Sequence, residues 1–342
     1  MVNLASHSQE AWEVRCRILT TLTTMTSKYQ GDSKWNRLLP FLNRKGLSVE
    51  DVKNIKQDVY WVKSQGNEYA LKCYESHEKL EKQHTFFEQW KEARLYAAEP
   101  LSYPDGSWVI SNADGEWGLF KWLKGDHLLF SYKSDRLAAS KVVQDFHTST
   151  EGIEAPLLLQ NPLYIKYQRR LEQFEKTFPA FSYGGNRTLF QELHQFASKT
   201  LDDFERLDWA AIEEDAWERK TWLHGDVAHH NFIRTRDGAV KLIDFDLLQM
   251  GPELYDDIQL GQRFLPHTHH SLKELTVYFH ATKWKEAWLK GILVPSDLMR
   301  EWLYAYRKYK RQDQKLAGHL DWLHAAWKDR KEFVEKVQHV LR

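Results

Sequence analysis

Apolar and polar residues follow two different periodicities along the chain, and the change between them divides it into parts. From Gln9 to Lys28, apolar residues recur at three- and four-residue steps, which predicts a helix. Residues 34–46 predict a second, short helix around Leu38 and Leu42. After Leu47 the pattern becomes typical of strands.

The segment after Leu47 predicts a three-stranded antiparallel meander. Its strands are enriched in β-branched and aromatic residues. Gly66 and Asn67 between the last two strands are residue types that accept positive φ in a hairpin turn. Lys72 then lies in the third strand. The predicted pieces are a strand over 48–53, a loop over 54–58, and strands over 59–63 and 68–74.

A helix starting at Ser76 and a further hairpin, Ser107–Ile110 with Gly118–Leu123, follow the meander. Beyond Gly125 the periodicity is mainly helical. The sequence therefore predicts an α+β fold with two lobes: a small antiparallel β lobe with one main helix, then a larger, mostly helical lobe. We place an N-terminal helical extension at residues 1–46, the small lobe at 47–124 and the helical lobe at 125–342.

Composition narrows the functional classes. The 48 basic and 48 acidic side chains give a formal net charge of +0, which lacks the basic excess of a general nucleic-acid binder. The only cysteines, Cys16 and Cys73, are far apart, so a disulfide framework is not expected. The sequence has no signal-peptide core and no apolar run of about 20 residues, so we expect a cytoplasmic protein without a membrane partner. Its oligomeric state is open.

The candidate chemistry is concentrated between residues 223 and 246. Gly225 places Asp226 in a tight loop, Asn231 follows, and a predicted hairpin leads to Asp244. An acid that accepts a hydroxyl proton, followed by an amide and a second acid that offer hard oxygen ligands to Mg²⁺, suits phosphoryl transfer. The two arms of the hairpin would bring Asn231 and Asp244 together.

These residues resemble the motifs of a known superfamily. His224-Gly225-Asp226-x-x-x-x-Asn231 followed by Ile243-Asp244-Phe245-Asp246 resembles the catalytic and metal motifs of the aminoglycoside phosphotransferase/choline kinase superfamily, which has the protein-kinase-like fold. Within that superfamily, the Val-Tyr-Trp-Val strand and the aromatic C-terminal lobe are most similar to the bacterial spore-coat kinase-like branch. Three supporting segments are Tyr69–Lys72, similar to the lysine strand, Phe120–Gly125, similar to the hinge, and Val142–His147, similar to the helix after the hinge.

The resemblance implies a role for each matching residue. Asp226 would be the catalytic base, Asn231 and Asp244 the metal ligands, and Lys72 the contact to the nucleotide phosphates. Asp246 would assist the metal or orient Asn231. The resemblance further implies that His224 and Asp257 stabilise the catalytic loop, and that Lys121, Trp122 and Leu123 meet the adenine ring of ATP.

Two departures from the family pattern bear on activity. The loop expected to cover the phosphates, at residues 53–58, contains no glycine, and close approach of the backbone to phosphate is harder without one. The helix glutamate expected to pair with Lys72 is either Glu81 or Glu88. We favour Glu88 because its context is more apolar.

The resulting hypothesis is an ATP- and Mg²⁺-dependent kinase that phosphorylates a hydroxyl of a small molecule. The alternative is a catalytically silent, kinase-like structural protein, for example of a spore coat, which would make the location spore-associated. Adjacent His229 and His230 predict a poor chelate. The tryptophans of the C-terminal region predict core packing, with an aromatic pocket for a cationic amine as the alternative. The C-terminal region has no evident acidic cluster for a polycationic antibiotic.

Overall fold

The computed structural model describes residues 33–156, 161–182, 185–279 and 282–341. The predicted helix over residues 9–28 lies outside them. The chain divides into two compact units, residues 1–40 and 41–342. Residues 33–40 of the first unit are helical and belong to helix α1, Ser33–Arg44. The predicted lobe boundaries at residues 46 and 124 stay predictions.

An antiparallel sheet with one main helix forms the small lobe, as predicted. Its strand order is β1-β2-β3-β6-β4, and β5 pairs with β6. Side chains of β2 alternate between half-buried and buried positions, which is the period-2 pattern of a strand with one face in the core. The strands are β1 (Val49–Lys56), β2 (Val59–Ser64), β3 (Asn67–Tyr74), β4 (Pro100–Leu101), β5 (Val109–Asn112) and β6 (Gly115–Lys121).

The predicted loop over residues 54–58 is wrong in extent. Strand β1 continues to Lys56, where it pairs with Val59, so the connection is only Gln57 and Asp58. Asp58 takes φ +62°, a conformation that Asp tolerates better than most residues. The connection is therefore a tight turn rather than an open, phosphate-covering loop.

The main helix of the small lobe, α2 (His77–Gln89), begins where predicted. The Ser76 hydroxyl accepts a 3.3 Å hydrogen bond from the Lys79 amide, which satisfies one of the unpaired donors of the first turn. The buried face contains Leu80, Phe86 and one polar residue, Gln83. A short helix, α3 (Ala93–Tyr96), follows it.

The larger lobe is mostly helical, which together with the small sheet confirms the predicted α+β class. Residues 209–219 form a helix that was not predicted, although Asp208 caps it by accepting from the Ala211 amide. The helices are α4 (Lys133–Thr150), α5 (Leu163–Glu175), α6 (Phe178–Ser182), α7 (Arg187–Glu205), α8 (Trp209–Arg219), α9 (Leu254–Phe264), α10 (Leu272–Thr276), α11 (Lys285–Leu293), α12 (Ser296–Tyr309) and α13 (Asp313–Val340).

Two small antiparallel sheets are formed by segments that connect helices of the larger lobe. In one, β9 (Phe232–Thr235) lies between β7 (Gly125–His127) and β10 (Val240–Leu242). In the other, β8 (Trp222–Leu223) pairs with β11 (Gln249–Met250). The predicted hairpin around residues 235–238 is thus confirmed.

An aromatic core holds the larger lobe together. Trp288, Trp302 and Trp327 of the C-terminal helices are all buried, in agreement with their predicted core role. Rings from both lobes meet at Phe245, which packs edge-on against Phe87 at 5.0 Å between centroids. Along the described part of the chain, no helix combines the length and apolar character needed to span a bilayer.

Candidate active site

The loop that carries Asp226 follows strand β8. Gly225 takes φ +80°, and a Cβ at this position would overlap the backbone oxygen of Leu247 and lie 2.8 Å from the Leu247 Cβ. Glycine is therefore required here for both conformation and space. The turn at Gly225 sets the direction of the chain after strand β8, and with it the position of Asp226.

Asp256, in the first turn of helix α9, holds this loop through hydrogen bonds to its backbone. Its carboxylate accepts hydrogen bonds from the backbone amides of His224 at 2.8 Å and Gly225 at 2.9 Å. His147 Nε2 lies 3.2 Å from the same carboxylate. Burial would raise the pKa of Asp256, but His147 and the amide donors outweigh it and hold that pKa below its usual value.

The loop-stabilising role predicted for Asp257 is therefore wrong by one residue. Asp257 instead accepts a 2.7 Å hydrogen bond from the Thr282 hydroxyl. Successive residues of a helix differ in direction by about 100°, so the neighbouring carboxylate faces a different part of the lobe. Burial raises the pKa of Asp257 to about 6.

His224 has the bracing position expected of it. Its Nε2 lies 3.0 Å from the Ile243 carbonyl oxygen, and its Nδ1 lies 3.3 Å from the Asp226 amide. A carbonyl can only accept and an amide can only donate, so the ring is neutral with its proton on Nε2. His224 thereby joins the loop of Asp226 to the strand end that leads to Asp244.

Asn231 lies beside Asp226, as the spacing predicted. Its amide nitrogen donates to the Asp226 backbone oxygen at 2.8 Å and to Asp226 Oδ2 at 3.2 Å. Those two bonds use the nitrogen and orient the side chain, whose oxygen is a suitable ligand for a hard cation. The backbone amide of Ile243 donates to the backbone carbonyl of Asn231 at 2.9 Å. Asp244 is the next residue along the chain.

Asp244 forms ion pairs with two lysines of the small lobe. Lys72 of β3 contacts Asp244 Oδ1 and lies 2.5 Å from Asp246 Oδ1. Lys56, at the end of β1, lies 3.1 Å from Asp244 Oδ2. Burial would raise the pKa of the Asp244 carboxyl, but the two ammonium groups outweigh it and hold that pKa well below its usual value.

Asp244 also has an unusual backbone, with φ +66°. A non-glycine residue in this region is uncommon, and such conformations cost about 1–3 kcal/mol and concentrate at functional sites. The carboxylate of Asp244 lies between Lys56 and Lys72.

The helix residue that reaches this region is Gln83. Its side-chain nitrogen donates a 2.7 Å hydrogen bond to the Phe245 carbonyl, and its oxygen accepts one from the Tyr74 hydroxyl at 3.2 Å. Glu88, the expected partner of Lys72, is exposed and lies 3.5 Å from His84. Glu81 is exposed too. Neither glutamate is beside Lys72 in this structure.

The predicted hinge lies between β6 and β7. Lys121 is the last residue of β6, and Trp122 and Leu123 stand outside any strand. The Lys121 amide donates to the Glu99 carbonyl at 3.1 Å, and the Trp122 amide to that of Glu68 at 3.4 Å. Both bonds tie the start of the hinge to the small lobe. Strand β7 then pairs with β9, so the segment joins the small sheet to the hairpin that follows Asn231.

Sequence reasoning missed Arg263. This residue, near the end of helix α9, donates from Nη2 to Asp226 Oδ1 at 2.8 Å. Its Nε is buried without a hydrogen-bond partner among the described residues. It lies 37 positions from Asp226, and no local pattern marks it.

The donor set fits a magnesium ion. Asp244 and Asp246 supply carboxylates, and Asn231 an amide oxygen, all hard ligands of the kind Mg²⁺ prefers when phosphate and water complete its shell. Lys72 contacts both of these carboxylates.

Most of the chain is similar to a known protein family. Residues 51–268 match the model of the phosphotransferase enzyme family. By sequence alone, no curated protein matches the chain.

Solved structures with the same fold include an aminoglycoside phosphotransferase from Alicyclobacillus acidocaldarius, at 17% identity and a TM-score of 0.70, covering 86% of this chain and 92% of that one. A choline kinase from Streptococcus pneumoniae has 13% identity and a TM-score of 0.55, covering 88% and 100%. A spectinomycin phosphotransferase in complex with ADP and spectinomycin has 13% identity and a TM-score of 0.53, covering 88% and 93%. At these identities the likeness shows the kinase-like fold.

Proposed function

The chain belongs to the phosphotransferase enzyme family, and we propose that it transfers the γ-phosphoryl group of ATP to a hydroxyl group of a small molecule. The observation that carries the proposal is a pair of contacts: Asn231 with Asp226, and Lys72 of the small lobe with Asp244. The backbone hydrogen bond from Ile243 to Asn231 joins the two pairs. Phosphoryl transfer depends mainly on such positioning and charge balance.

Asp226 is the proposed base. As the acceptor oxygen bonds to the γ-phosphorus and the bond from that phosphorus to the bridging oxygen of ADP breaks, the hydroxyl proton passes to the Asp226 carboxylate. The two hydrogen bonds from Asn231 and the neutral ring of His224 hold Asp226 in place. Arg263 contacts the other carboxylate oxygen, so the orientation of this acid is set from two sides.

Lys72 and Lys56 are the proposed contacts to the nucleotide phosphates, and Lys121, Trp122 and Leu123 the proposed contacts to its base. Asn231, Asp244 and Asp246 would hold Mg²⁺, which neutralises charge on the phosphates when bound. The small lobe supplies an ammonium group at the β1–β2 turn, where glycine is missing. In this proposal a lysine side chain does what backbone amides do in a glycine-rich loop.

One observation favours the second candidate, a catalytically silent structural protein. The β1–β2 turn is only two residues long and contains no glycine, so few backbone amides are available for phosphate.

Solved structures of the same fold that were crystallised with AMP, ADP or GDP support nucleotide binding, and with it the kinase candidate. We propose the cytoplasm as the location for a kinase, and a spore-associated location for the silent protein.

A thermal-shift titration with ATP and Mg²⁺ separates the two candidates. Binding to the native state raises the melting temperature, by an amount that grows with ligand concentration. Asp226→Asn should keep this shift but lose ADP release by about 100-fold or more, as expected when a general base is removed. A flat titration would favour the silent protein, and full turnover by Asp226→Asn would exclude Asp226 as the base.

A further inference from the structure

A cavity of about 340 Å³ lies between helices α4, α8 and α9 and the segment that precedes α11. Its lining includes His147 of α4 and Asp257 of α9. Thr282 and Trp284 line it from the segment before α11. Pockets that hold small molecules begin at about this volume, so the cavity is large enough for a compact organic ligand.

This cavity is separate from the proposed active site. No residue proposed above as base, metal ligand or phosphate contact is among its described lining residues. His147 lines the cavity, and its Nε2 lies 3.2 Å from Asp256. Asp256 in turn accepts the backbone amides of the loop that carries Asp226. A ligand in the cavity would therefore bind beside the support of that loop, and not at Asp226 itself.

The cations that line the cavity already have carboxylate partners. Lys283 lies 2.5 Å from Asp215, and Asp215 also lies 3.6 Å from Arg219. The other partners of Arg219 are Glu253 at 3.1 Å and Glu151 at 2.7 Å. Together with the histidine described above, each cation among the described lining residues thus has an acid in contact.

Asp257 is the lining acid without such a partner. Its Oδ2 accepts a 2.7 Å hydrogen bond from the neutral Thr282 hydroxyl, and no cation of the described chain forms an ion pair with it. Burial is the main cause that raises the pKa of Asp257 to about 6, and the charges of Asp256 and Glu253 also raise it. The charge of His147 and the Thr282 hydroxyl act in the opposite direction but do not cancel the rise. The carboxylate of Asp257 is therefore short of positive charge.

A cationic ligand would supply this missing charge. An ammonium group has three N–H donors, and Gln144 and Thr148 in the lining offer oxygen acceptors beside the carboxylate of Asp257. Trp284 adds an aromatic surface, and the ammonium group of Lys283 already lies 5.0 Å from its ring centroid. An anion, in contrast, would find no unpaired cation among the described lining residues. The chemistry of the cavity thus favours an amine.

We propose that this cavity binds a small organic amine, whose ammonium group pairs with the Asp257 carboxylate while the rest of the molecule packs beside Trp284. The site is additional to the acceptor site at Asp226, and it does not depend on the proposed phosphotransferase activity. Its ligand contacts a different face of α9 from the one that holds the loop of Asp226, because Asp256 and Asp257 point to different parts of the lobe.

Ligand charge is tested first, by titration calorimetry on the full chain at about pH 7.5. Benzylamine is the cationic probe, benzyl alcohol its neutral counterpart and benzoate its anionic one. Since hydrogen bonds to charged groups are the stronger ones, we expect benzylamine to bind at least tenfold more tightly than benzyl alcohol. Benzoate should bind more weakly than either. Equal affinities for the amine and the alcohol would overturn the proposal.

Variants then locate the amine. Asp257→Asn keeps the size of the side chain and an oxygen for the Thr282 hydroxyl but removes the charge, so it should bind benzylamine at least tenfold less tightly. Glu218→Gln is the matched control, because it removes an exposed acid in the last turn of α8, and it should bind like the wild type. Asp226→Asn should also keep the wild-type affinity. A loss of binding in Asp226→Asn but not in Asp257→Asn would place the amine at the acceptor site and overturn the proposal.

The pH dependence of binding gives a readout that a merely structural role of Asp257 would not produce. Benzylamine stays protonated between about pH 7.5 and 5, whereas the carboxyl of Asp257, with its pKa of about 6, takes up a proton in this range. The ammonium group pairs with the ionised carboxyl, so affinity should fall as the pH drops through 6. Asp257→Asn should lack this fall. A wild-type affinity that stays constant across the range would contradict the pairing.

A second variant decides the question if Asp257→Asn does not fold. Thr148 lines the cavity from an exposed position of α4, so Thr148→Trp puts an indole at the cavity without entering the core. We expect it to bind benzylamine at least fivefold less tightly, and wild-type affinity would place the amine elsewhere. ADP release tests the kinase separately. Asp257-dependent binding without ADP release would leave the amine site and remove the kinase, and Asp226-dependent ADP release without benzylamine binding would do the reverse.

Discussion

The side-chain amide of Gln83 donates a 2.7 Å hydrogen bond to the backbone carbonyl of Phe245, across 162 positions of the chain. This buried contact joins the main helix of the small lobe to the segment between Asp244 and Asp246. A neutral residue therefore occupies the helix position that faces the charged site. Lys72 is paired with the two aspartates of that segment rather than with a helix glutamate.

Replacing Gln83 with Leu should lower the free energy of unfolding by about 1–3 kcal/mol, because it removes the buried donor to the Phe245 carbonyl and one of the acceptors of the Tyr74 hydroxyl. Glu88→Gln on the same helix is the control, and it should change stability by no more than about 0.5 kcal/mol. Urea unfolding measures both. If Glu88→Gln instead raised the KM for ATP tenfold while Gln83→Leu had no effect, the pairing of Glu88 with Lys72 would hold in the working enzyme.

Lys56→Gln should raise the KM for ATP by about three- to tenfold, since it removes one charge-assisted contact at a partly exposed position. Lys63→Gln removes the same charge from β2, where Lys63 faces Glu50 at 3.6 Å, and should leave the KM unchanged. Steady-state kinetics with varied ATP compare the two variants. Equal KM values would show that the β1–β2 turn does not bind phosphate through Lys56.

Gly225→Ala should be more damaging than Gly238→Ala. Both glycines have positive φ, +80° and +86°, so both substitutions carry the cost of that conformation, about 1–2 kcal/mol. Only Gly225 has a neighbour, Leu247, in the path of an added Cβ. We expect Gly225→Ala to lose additional stability and most ADP release, and Gly238→Ala to keep its activity. Thermal unfolding and ADP release measure these effects, and similar losses in both would show that conformation alone matters.

Stability should fall as the pH decreases from about 6.5 to 4. Burial lowers the pKa values of His229, His267 and His270 to about 4, whereas the unfolded chain takes up these protons near pH 6.5. Between those limits the unfolded state binds more protons, so acid favours unfolding. Urea unfolding across this range should give a shallower slope for His267→Gln. An unchanged slope in His267→Gln would show that the burial of this histidine does not contribute to the pH dependence.

The features that could be predicted from the sequence are those whose residues lie close together along the chain. The loop of Asp226, the position of Asn231 and the hairpin to Asp244 lie within about 20 residues, and their turn and strand residues are recognisable without tertiary information. The helix start at Ser76 was predictable for the same reason. The turn between β2 and β3 was predicted one residue late: Gln65 and Gly66 have the positive φ values, and Asn67 is already in the strand.

The remaining site residues depend on contacts that no local pattern reveals. Lys56 meets Asp244 across 188 positions, and Arg263 meets Asp226 across 37. Asp256 and Asp257 are adjacent acids in one helix turn, and only the packing of α9 decides which of them accepts the loop amides. In each case the sequence shows which residue is present, but only the tertiary structure shows which group its side chain contacts.

The pairing of β7 with β9 has a consequence for the size of the nucleotide. Gly125, two residues after the hinge residue Leu123, lies opposite Thr235, and a Cβ on Gly125 would overlap the Arg234 backbone. Strand β9 begins directly after Asn231. One short sheet therefore sets the span from the segment proposed to contact the nucleotide base to the amide proposed to bind the metal, whatever angle the small lobe adopts. Lengthening the connection between Leu123 and Gly125 by one residue would change that span, and with it the fit of a nucleotide whose own length is fixed.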